Sequence, residues 1–253
     1  TPKPSSAASD VYKRQVINLF GIGSSSMMSR ALGRGDLKTV CASASLGFYG
    51  TVVSGALLSA LCYIFMQPFV VLLGGDINTA AATTAYMNWA VVCGAIPTIL
   101  NVVMGYMVRA EGASLHASIG TMSGCILNMI LDPFFILPWG LGMGAAGAGL
   151  ATFLSNCFAC CYFFVLLMVR KKKTNINLNP KYLSLTKEIV FGVMEVGIPA
   201  AIQNLLNVTG MTILNNFVAG YGSSAVAAVG IAQKVYMAVS YTHLRAHETR
   251  HDL

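Results

Sequence analysis

The stretch from Ser114 to Leu137, SLHASIGTMSGCILNMILDPFFIL, decides the fold. It carries a single charge, Asp132, and the surrounding 58 residues from Gly112 to Val169 add no other. A helix needs about 20 apolar residues to cross the hydrocarbon core of a bilayer. A carboxylate placed inside that core is expensive, so its presence points to function. Asn128 lies four residues before Asp132, which on a helix puts both on one face. Pro133 follows at once and removes a backbone donor, so a bend is expected there. A polar pair at a bend inside a membrane helix is the chemistry of an ion site in a transporter. A second reading stands beside it, in which the pair only pins the bend.

Composition extends the conclusion to the whole chain. Of 253 residues, 55% are hydrophobic and 10% charged, with a mean hydropathy of +0.66. Soluble domains carry about a quarter charged residues. From Thr39 to Val108 the only charge is Asp76, which leaves room for two spans with a turn between them. Within lipid every backbone polar group must bond internally, so the apolar runs are helices. The expectation is an all-α integral membrane protein, a polytopic bundle of about seven spanning segments. They run over about 16–32, 38–73 with a break near Pro68, 79–108 with Pro97 inside, 114–137, 145–169, 187–219, and from about 225 onward.

Charge placement sets the topology. The net charge is +7, and Lys and Arg gather at Arg30, Arg34 and Lys38, at Arg109, and from Arg170 to Lys173 with Lys181 and Lys187. The turns around Asp76 and around Trp139 carry neither. Positive charge in every second connection puts the basic loops in the cytoplasm of a multi-pass cell-membrane protein. These charges never form one face with stacking aromatics, so no nucleic-acid partner is expected. Arg109 reads as a positive-inside anchor, and the bilayer is the expected partner.

Both ends break the pattern. Residues 1–15 and 239–253 are polar, abut apolar helix abruptly, and resemble translated sequencing-adaptor read-through. They are expected to be foreign and disordered, and are excluded from fold reasoning. The tail nonetheless contains His247, Glu248 and His251 in an HExxH pattern, the spacing of a zinc-protease helix. No third ligand follows, so a zinc site is not expected. Gly142, Gly144 and Gly147 fit GxGxxG, but no strand precedes them and no acid follows at the required distance, so they read as turn and close-packing glycines. Asn207 heads a glycosylation acceptor pattern inside an apolar span, which discounts it. Cys157 and Cys160 form a CxxC with no second pair, so the seven cysteines read as small apolar helix residues.

Several stretches taken in order resemble the multidrug and toxic compound extrusion (MATE) family. They are Ser29 to Asp36 (SRALGRGD), Gly105 to Gly112 (GYMVRAEG), Asn128 to Pro133 (NMILDP) and Gly144 to Thr152 (GAAGAGLAT). Gly197 to Gln203 and Asn216 to Lys234 fit as well. The resemblance covers about 16–238. It implies most of one six-helix lobe, family helices 2–6 over 16–169, a cytoplasmic linker over 170–186, and the start of a second lobe, helices 7–8, over 187–238. It further implies export of drugs coupled to inward H⁺ or Na⁺. Members with a first-lobe ion site build it from an Asn on helix 4, an Asn and an Asp on helix 5, and a Thr on helix 6. These roles fall on Asn101, Asn128, Asp132 and Thr152. On its residue type alone, Asn101 reads first as a helix–helix hydrogen bond and second as an ion ligand. The family's helix 1 Asp has no counterpart here. Helix 7 carries Gln203, Asn204 and Asn207 in its span, with Glu195 near its cytoplasmic end.

The functional expectation is a cation-coupled antiporter that exports amphipathic organic cations, here as an incomplete fragment. It has no catalytic residues, no cofactor beyond the transported H⁺ or Na⁺, and no obligate protein partner. One alternative is a lipid-linked oligosaccharide flippase of the same wider superfamily, which would need Arg and Lys in the spans for its pyrophosphate. The other is an intramembrane enzyme, which would need paired acids or metal ligands there. The spans supply neither set.

Overall fold

The structure is a computed structural model, and it describes residues 11, 13–66, 77–138, 140–171, 174–221, 225, 228–236 and 239. These residues are helical, in short turns, or in the irregular linker over 174–186, in keeping with the all-α expectation. A π-helical turn over Ile17–Ile22 leads into α1 (Gly23–Gly33). Then follow α2 (Leu37–Ile64), α3 (Ile77–Met87), a π-helical segment over Asn88–Cys93, α4 (Ala95–Ala110), α5 (Ser114–Ile136), α6 (Ala145–Val169) and α7 (Lys187–Ala219). Helical backbone also covers residues 13–15, at the edge of the segment expected to be foreign. Lys13 is buried there, and its Nζ donates to the Ala90 carbonyl at 2.9 Å.

Among the described residues four helices are long and apolar enough to cross a membrane: α2, α5, α6 and Lys187–Asn215 of α7. A fifth span results if the bent pair Ala82–Cys93 and Ala95–Ala110 is counted as one. The first expected span is helical but divided by its π turn, and the seventh is described only over scattered residues. The break expected near Pro68 and the turn at Asp76 lie outside the described residues, as do Trp139 and the HExxH tail.

Local chemistry explains the ends and bends. Gly35 adopts φ +73°, a left-handed turn open to glycine. The Asp36 carboxylate then caps α2, accepting from the Thr39 amide at 3.2 Å and the Thr39 hydroxyl at 2.6 Å. Those bonds hold its carboxyl below the usual carboxylate range. The third span bends by 47° at Gly94. Pro97 lies three residues on, has no N–H to give the preceding turn, and crowds its carbonyls. A Cβ at Gly94 would stand 2.7 Å from the Ala90 oxygen, so the bend itself requires glycine. By contrast α5 continues as one helix through Pro133.

Within residues 1–204, α4 is central and packs against α1, α2, α5 and α6. Its residues Ile99, Val103, Met104 and Met107 are buried together with Met28, Val40 and Phe163. Lipid tails are as apolar as these side chains, so close packing rather than the hydrophobic effect holds such helices. Of the GxGxxG glycines, Gly142 and Gly144 take positive φ in the turn and Gly147 serves this packing. A Cβ at Gly147 would meet the Phe135 carbonyl oxygen at 2.6 Å, which lets α6 lie directly on α5. Leu57, Met129 and Met168 point outward and are largely exposed, as lipid-facing side chains must be.

The basic linker after α6 is docked rather than free. The Thr174 hydroxyl donates to Glu111 at the end of α4, and the Asn175 amide donates to the same carboxylate at 2.6 Å. Cys41, Ser45 and Tyr49 of α2 then donate in turn to the carbonyls of Asn175 (3.2 Å), Asn177 (2.8 Å) and Leu178 (2.8 Å). Four residues of helix rise about 6 Å, close to two residues of extended chain, so the step from Cys41 to Ser45 matches that from Asn175 to Asn177, and the longer Tyr49 side chain reaches Leu178. Ile176 is only 7% exposed and joins the core.

The first half of α7 runs antiparallel to the first helical segment. Gly197 lies against the Leu19 carbonyl and Gly23 against the Val193 carbonyl, while Arg30 donates to the Gly192 carbonyl at 3.2 Å. Residues from Leu205 onward form a second compact unit. Its described residues include the rest of α7 and the helical residues 228–236, and most of the large apolar side chains among them are exposed.

Candidate functional site

The four residues singled out from the sequence fall on three neighbouring helices. Asn128 and Asp132 are one turn apart on α5, both half-buried, and the Asn128 Nδ2 donates to the Asp132 Oδ1 at 3.4 Å. The partner is a neutral amide, so the negative charge is left uncompensated within the pair. Asn101 is on α4 and only 8% exposed. Its Nδ2 donates to the Oδ1 of Asn156 on α6 at 3.2 Å. Thr152, one turn before Asn156, is half-buried, and its hydroxyl donates to the Ala148 carbonyl at 2.9 Å.

Packing sets the relative depth of these groups. Gly105 of α4 faces Thr121 of α5. Gly124 of α5 faces Ala159 and the Ser155 carbonyl of α6, and Gly147 faces Phe135. α5 is therefore antiparallel to both neighbours. By that register Asn128 stands level with Thr98 of α4, Thr152 of α6 lies between Asn128 and Asp132 in depth, and Asn101 lies about one turn from Asn128 toward the Gly105 end. The helices thus bring Asn128, Asp132 and Thr152 into one layer. Asn101 bonds to α6, and no hydrogen bond among the described residues joins its pair to the α5 pair.

Two polar atoms here stand out. The Asn101 Oδ1 and the Thr98 Oγ1 are buried and bond to no described residue. Asn101 and Thr98 are three residues apart, on one face of α4. A buried oxygen without a donor is costly unless something else satisfies it. Carboxylate, amide and hydroxyl oxygens are the ligands that a hard cation uses. A carboxylate such as Asp132 can take up H⁺, and oxygens of these types can ligate a small metal cation.

Sequence reading missed Asn156 and Thr98. Asn156 had a signal, since it follows Thr152 by four residues within an uncharged span. Thr98 had none beyond its place after Pro97. Cys160 gains a specific role, because its thiol donates to the Pro97 carbonyl at 3.2 Å. No group of three or more His, Cys, Asp or Glu that could hold a metal ion occurs among the described residues.

Comparison with known proteins follows the same lines. A family profile described as MatE matches residues 15–134. The chain is 33% identical over 216 residues to the multidrug export protein MepA of Staphylococcus saprophyticus, covering 85% of this chain and 47% of that protein. It is likewise 33% identical over 216 residues to MepA of Staphylococcus aureus, with the same coverage of each. The chain thus spans about half the length of the curated relatives it matches. Among solved structures, an outward-facing multidrug resistance MATE family transporter superimposes with a TM-score of 0.81 at 23% identity, covering 94% of this chain and 53% of that one. An inward-facing one gives 0.77 at 24% identity, covering 93% and 54%. These structural likenesses speak to the fold.

Proposed function

Since this chain belongs to the MATE family, we propose that it is the cation-coupling part of a membrane antiporter that exports amphipathic organic cations. The observation that carries the proposal is the Asn128–Asp132 pair, a carboxylate with a neutral partner in the middle of a membrane helix, level with Thr152. The names of the relatives support multidrug export, coupling to inward H⁺ or Na⁺ is what the resemblance to the family implies, and the site's chemistry supports a cation there. The oxygens of Asn101 and Thr98 widen the candidate ligand set.

The mechanism follows from charge. An ionised Asp132 in a low-dielectric layer is costly, and binding H⁺ or Na⁺ removes most of that cost. A cation arriving from outside therefore stabilises the packing of α4, α5 and α6 around it. Its departure to the cytoplasm restores the charge and the other packing. Drug export is driven if the drug site is complementary to only one of these two packings. The flippase reading lacks the Lys and Arg that a pyrophosphate would require within the spans. The enzyme reading finds no support in this family.

The test is Asp132→Asn in a full-length transporter carrying this segment. The substitution keeps size and hydrogen bonding and removes the charge. Dye efflux from proteoliposomes under an imposed H⁺ or Na⁺ gradient is expected to collapse, while equilibrium dye binding changes by less than about threefold, because drug and cation need not share ligands. Efflux at the unmodified rate, at equal protein, would end the proposal and leave the pair a purely structural one.

A further inference from the structure

We propose that Asn156 is a positioning residue for the cation site, fixing the side-chain amide of Asn101 so that its oxygen is presented to a cation. This rests on the cation-coupled reading above. An asparagine side chain is ambiguous as a ligand. Its Oδ1 attracts a cation, its NH₂ repels one, and the two ends are nearly the same size. Something without that ambiguity must choose between them.

The Thr152 main-chain carbonyl is such a group, because it can only accept. The Asn156 Nδ2 donates to it at 2.8 Å. The Ser155 hydroxyl also donates to that carbonyl at 3.0 Å, and to the Ala151 carbonyl at 2.8 Å. Were Asn156 turned over, its Oδ1 would face the Thr152 oxygen, two acceptors in contact. With its NH₂ committed, Asn156 offers only Oδ1 to its other neighbour. That oxygen accepts from the Asn101 Nδ2 at 3.2 Å. The acceptor end of Asn101 is then its Oδ1, and this atom is buried without a partner among the described residues. Polarity passes from the main chain of α6, through two amides, to one oxygen on α4.

The same chemistry narrows the cation. An amide oxygen takes up no proton near neutral pH, so an oriented Oδ1 serves a hard metal cation such as Na⁺ rather than H⁺. Thr98 adds a hydroxyl oxygen one turn away on the same face, also unpartnered among the described residues.

The experiment is equilibrium ²²Na⁺ binding to the purified chain in lipid nanodiscs. Saturable binding is expected in the unmodified chain. Asn101→Leu and Asn156→Leu are each expected to weaken it about tenfold or more, the equivalent of one well-placed hydrogen bond or ligand. The double variant is expected to bind no more weakly than the worse single one, because Asn156 acts only through Asn101. Asn156→Asp is expected to retain binding only with its carboxyl protonated, when the O–H donates to the Thr152 carbonyl and the other oxygen accepts from the Asn101 Nδ2. Asn156→Ser, smaller and uncharged, repeats the test if the leucine variant fails to fold. Additive losses, or unchanged binding in both Asn156→Leu and Asn156→Ser, overturn the proposal. An unmodified chain that binds no Na⁺ also overturns it. The cation-coupled reading survives that last result if an H⁺ gradient still drives efflux in the Asp132 experiment.

Discussion

Removing the Glu111 carboxylate tests whether the docked linker is held as the hydrogen bonds indicate. Glu111 accepts from the Thr174 hydroxyl and the Asn175 amide. A hydrogen bond to a charged group contributes about 1.5–3 kcal/mol when buried. Glu111 is half-buried, so solvent screening reduces each to about 1–1.5 kcal/mol. Glu111→Ala therefore costs the near end of the strap about 2–3 kcal/mol, which corresponds to a roughly 30- to 150-fold rise in local opening. Ser45 and Tyr49 still hold Asn177 and Leu178, and Ile176 stays in the core, so opening is confined to residues 174 and 175. Cys41 reports on that end directly, because its thiol donates to the Asn175 carbonyl. In a variant with Cys41 as the sole cysteine, alkylation by a soluble maleimide is expected to accelerate by that factor. Glu111→Gln, which keeps one acceptor oxygen without the charge, is expected to give about a tenfold rise. An unchanged alkylation rate in Glu111→Ala would refute the argument, since it would mean that the two bonds contribute nothing to docking.

Other consequences are open to the same kind of check. Tyr49→Phe removes the 2.8 Å bond to the Leu178 carbonyl. It should cost about 1 kcal/mol, read as faster hydrogen exchange around Leu178 and Asn179 with no change near Asn175. Gly147→Ala brings a methyl group within 2.6 Å of the Phe135 oxygen. A loss of about 1–3 kcal/mol is expected, measured as a lower midpoint in thermal size-exclusion chromatography. The Asp36 carboxyl is held low by Thr39. Its contribution is thus present above the ordinary value of 3.8 and lost as pH falls through its lower folded value. Asp36→Asn should flatten the acid limb of the thermal stability profile, and an unaltered limb would remove Asp36 from the account. A cysteine at position 181 in a cysteine-free background should react with an impermeant thiol reagent only from the cytoplasmic side, as the charge pattern requires.

Helices were legible because lipid leaves so few choices. Once Ser114 to Leu137 is read as a span, internal hydrogen bonding dictates a helix, and its observed bounds, Ser114–Ile136, follow from the turn glycines and prolines on either side. The third span was harder. Pro97 marked the disturbance, but the bend falls at Gly94, because the clash of a proline ring is felt one turn back and glycine is the residue there that can yield. The linker was the largest gap. Its charges, asparagines and proline describe a soluble tether. Nothing in that composition reveals that Cys41, Ser45 and Tyr49 sit four residues apart to receive it. That match involves two segments about 130 positions apart, and periodicity within either one cannot show it.

The candidate site divides along the same line. Asn128 and Asp132 were visible because both partners lie on one helix, where a spacing of four residues is itself a geometric statement. Asn101 is visible only as a polar residue in an apolar run, and from sequence it fits a helix–helix bond first and an ion ligand second. The two readings turn out to be compatible. Its NH₂ makes the helix–helix bond and its oxygen is left over. An amide has two ends with opposite electrostatics, so a residue can tie α4 to α6 and still offer a ligand. Which end does which is set by the Thr152 carbonyl, two residues removed from Asn101 in the hydrogen-bond chain and 51 positions away in sequence. Residue type alone carries no information about that orientation. It becomes readable only when the acceptor that starts the chain is a backbone group, whose direction the helix itself fixes.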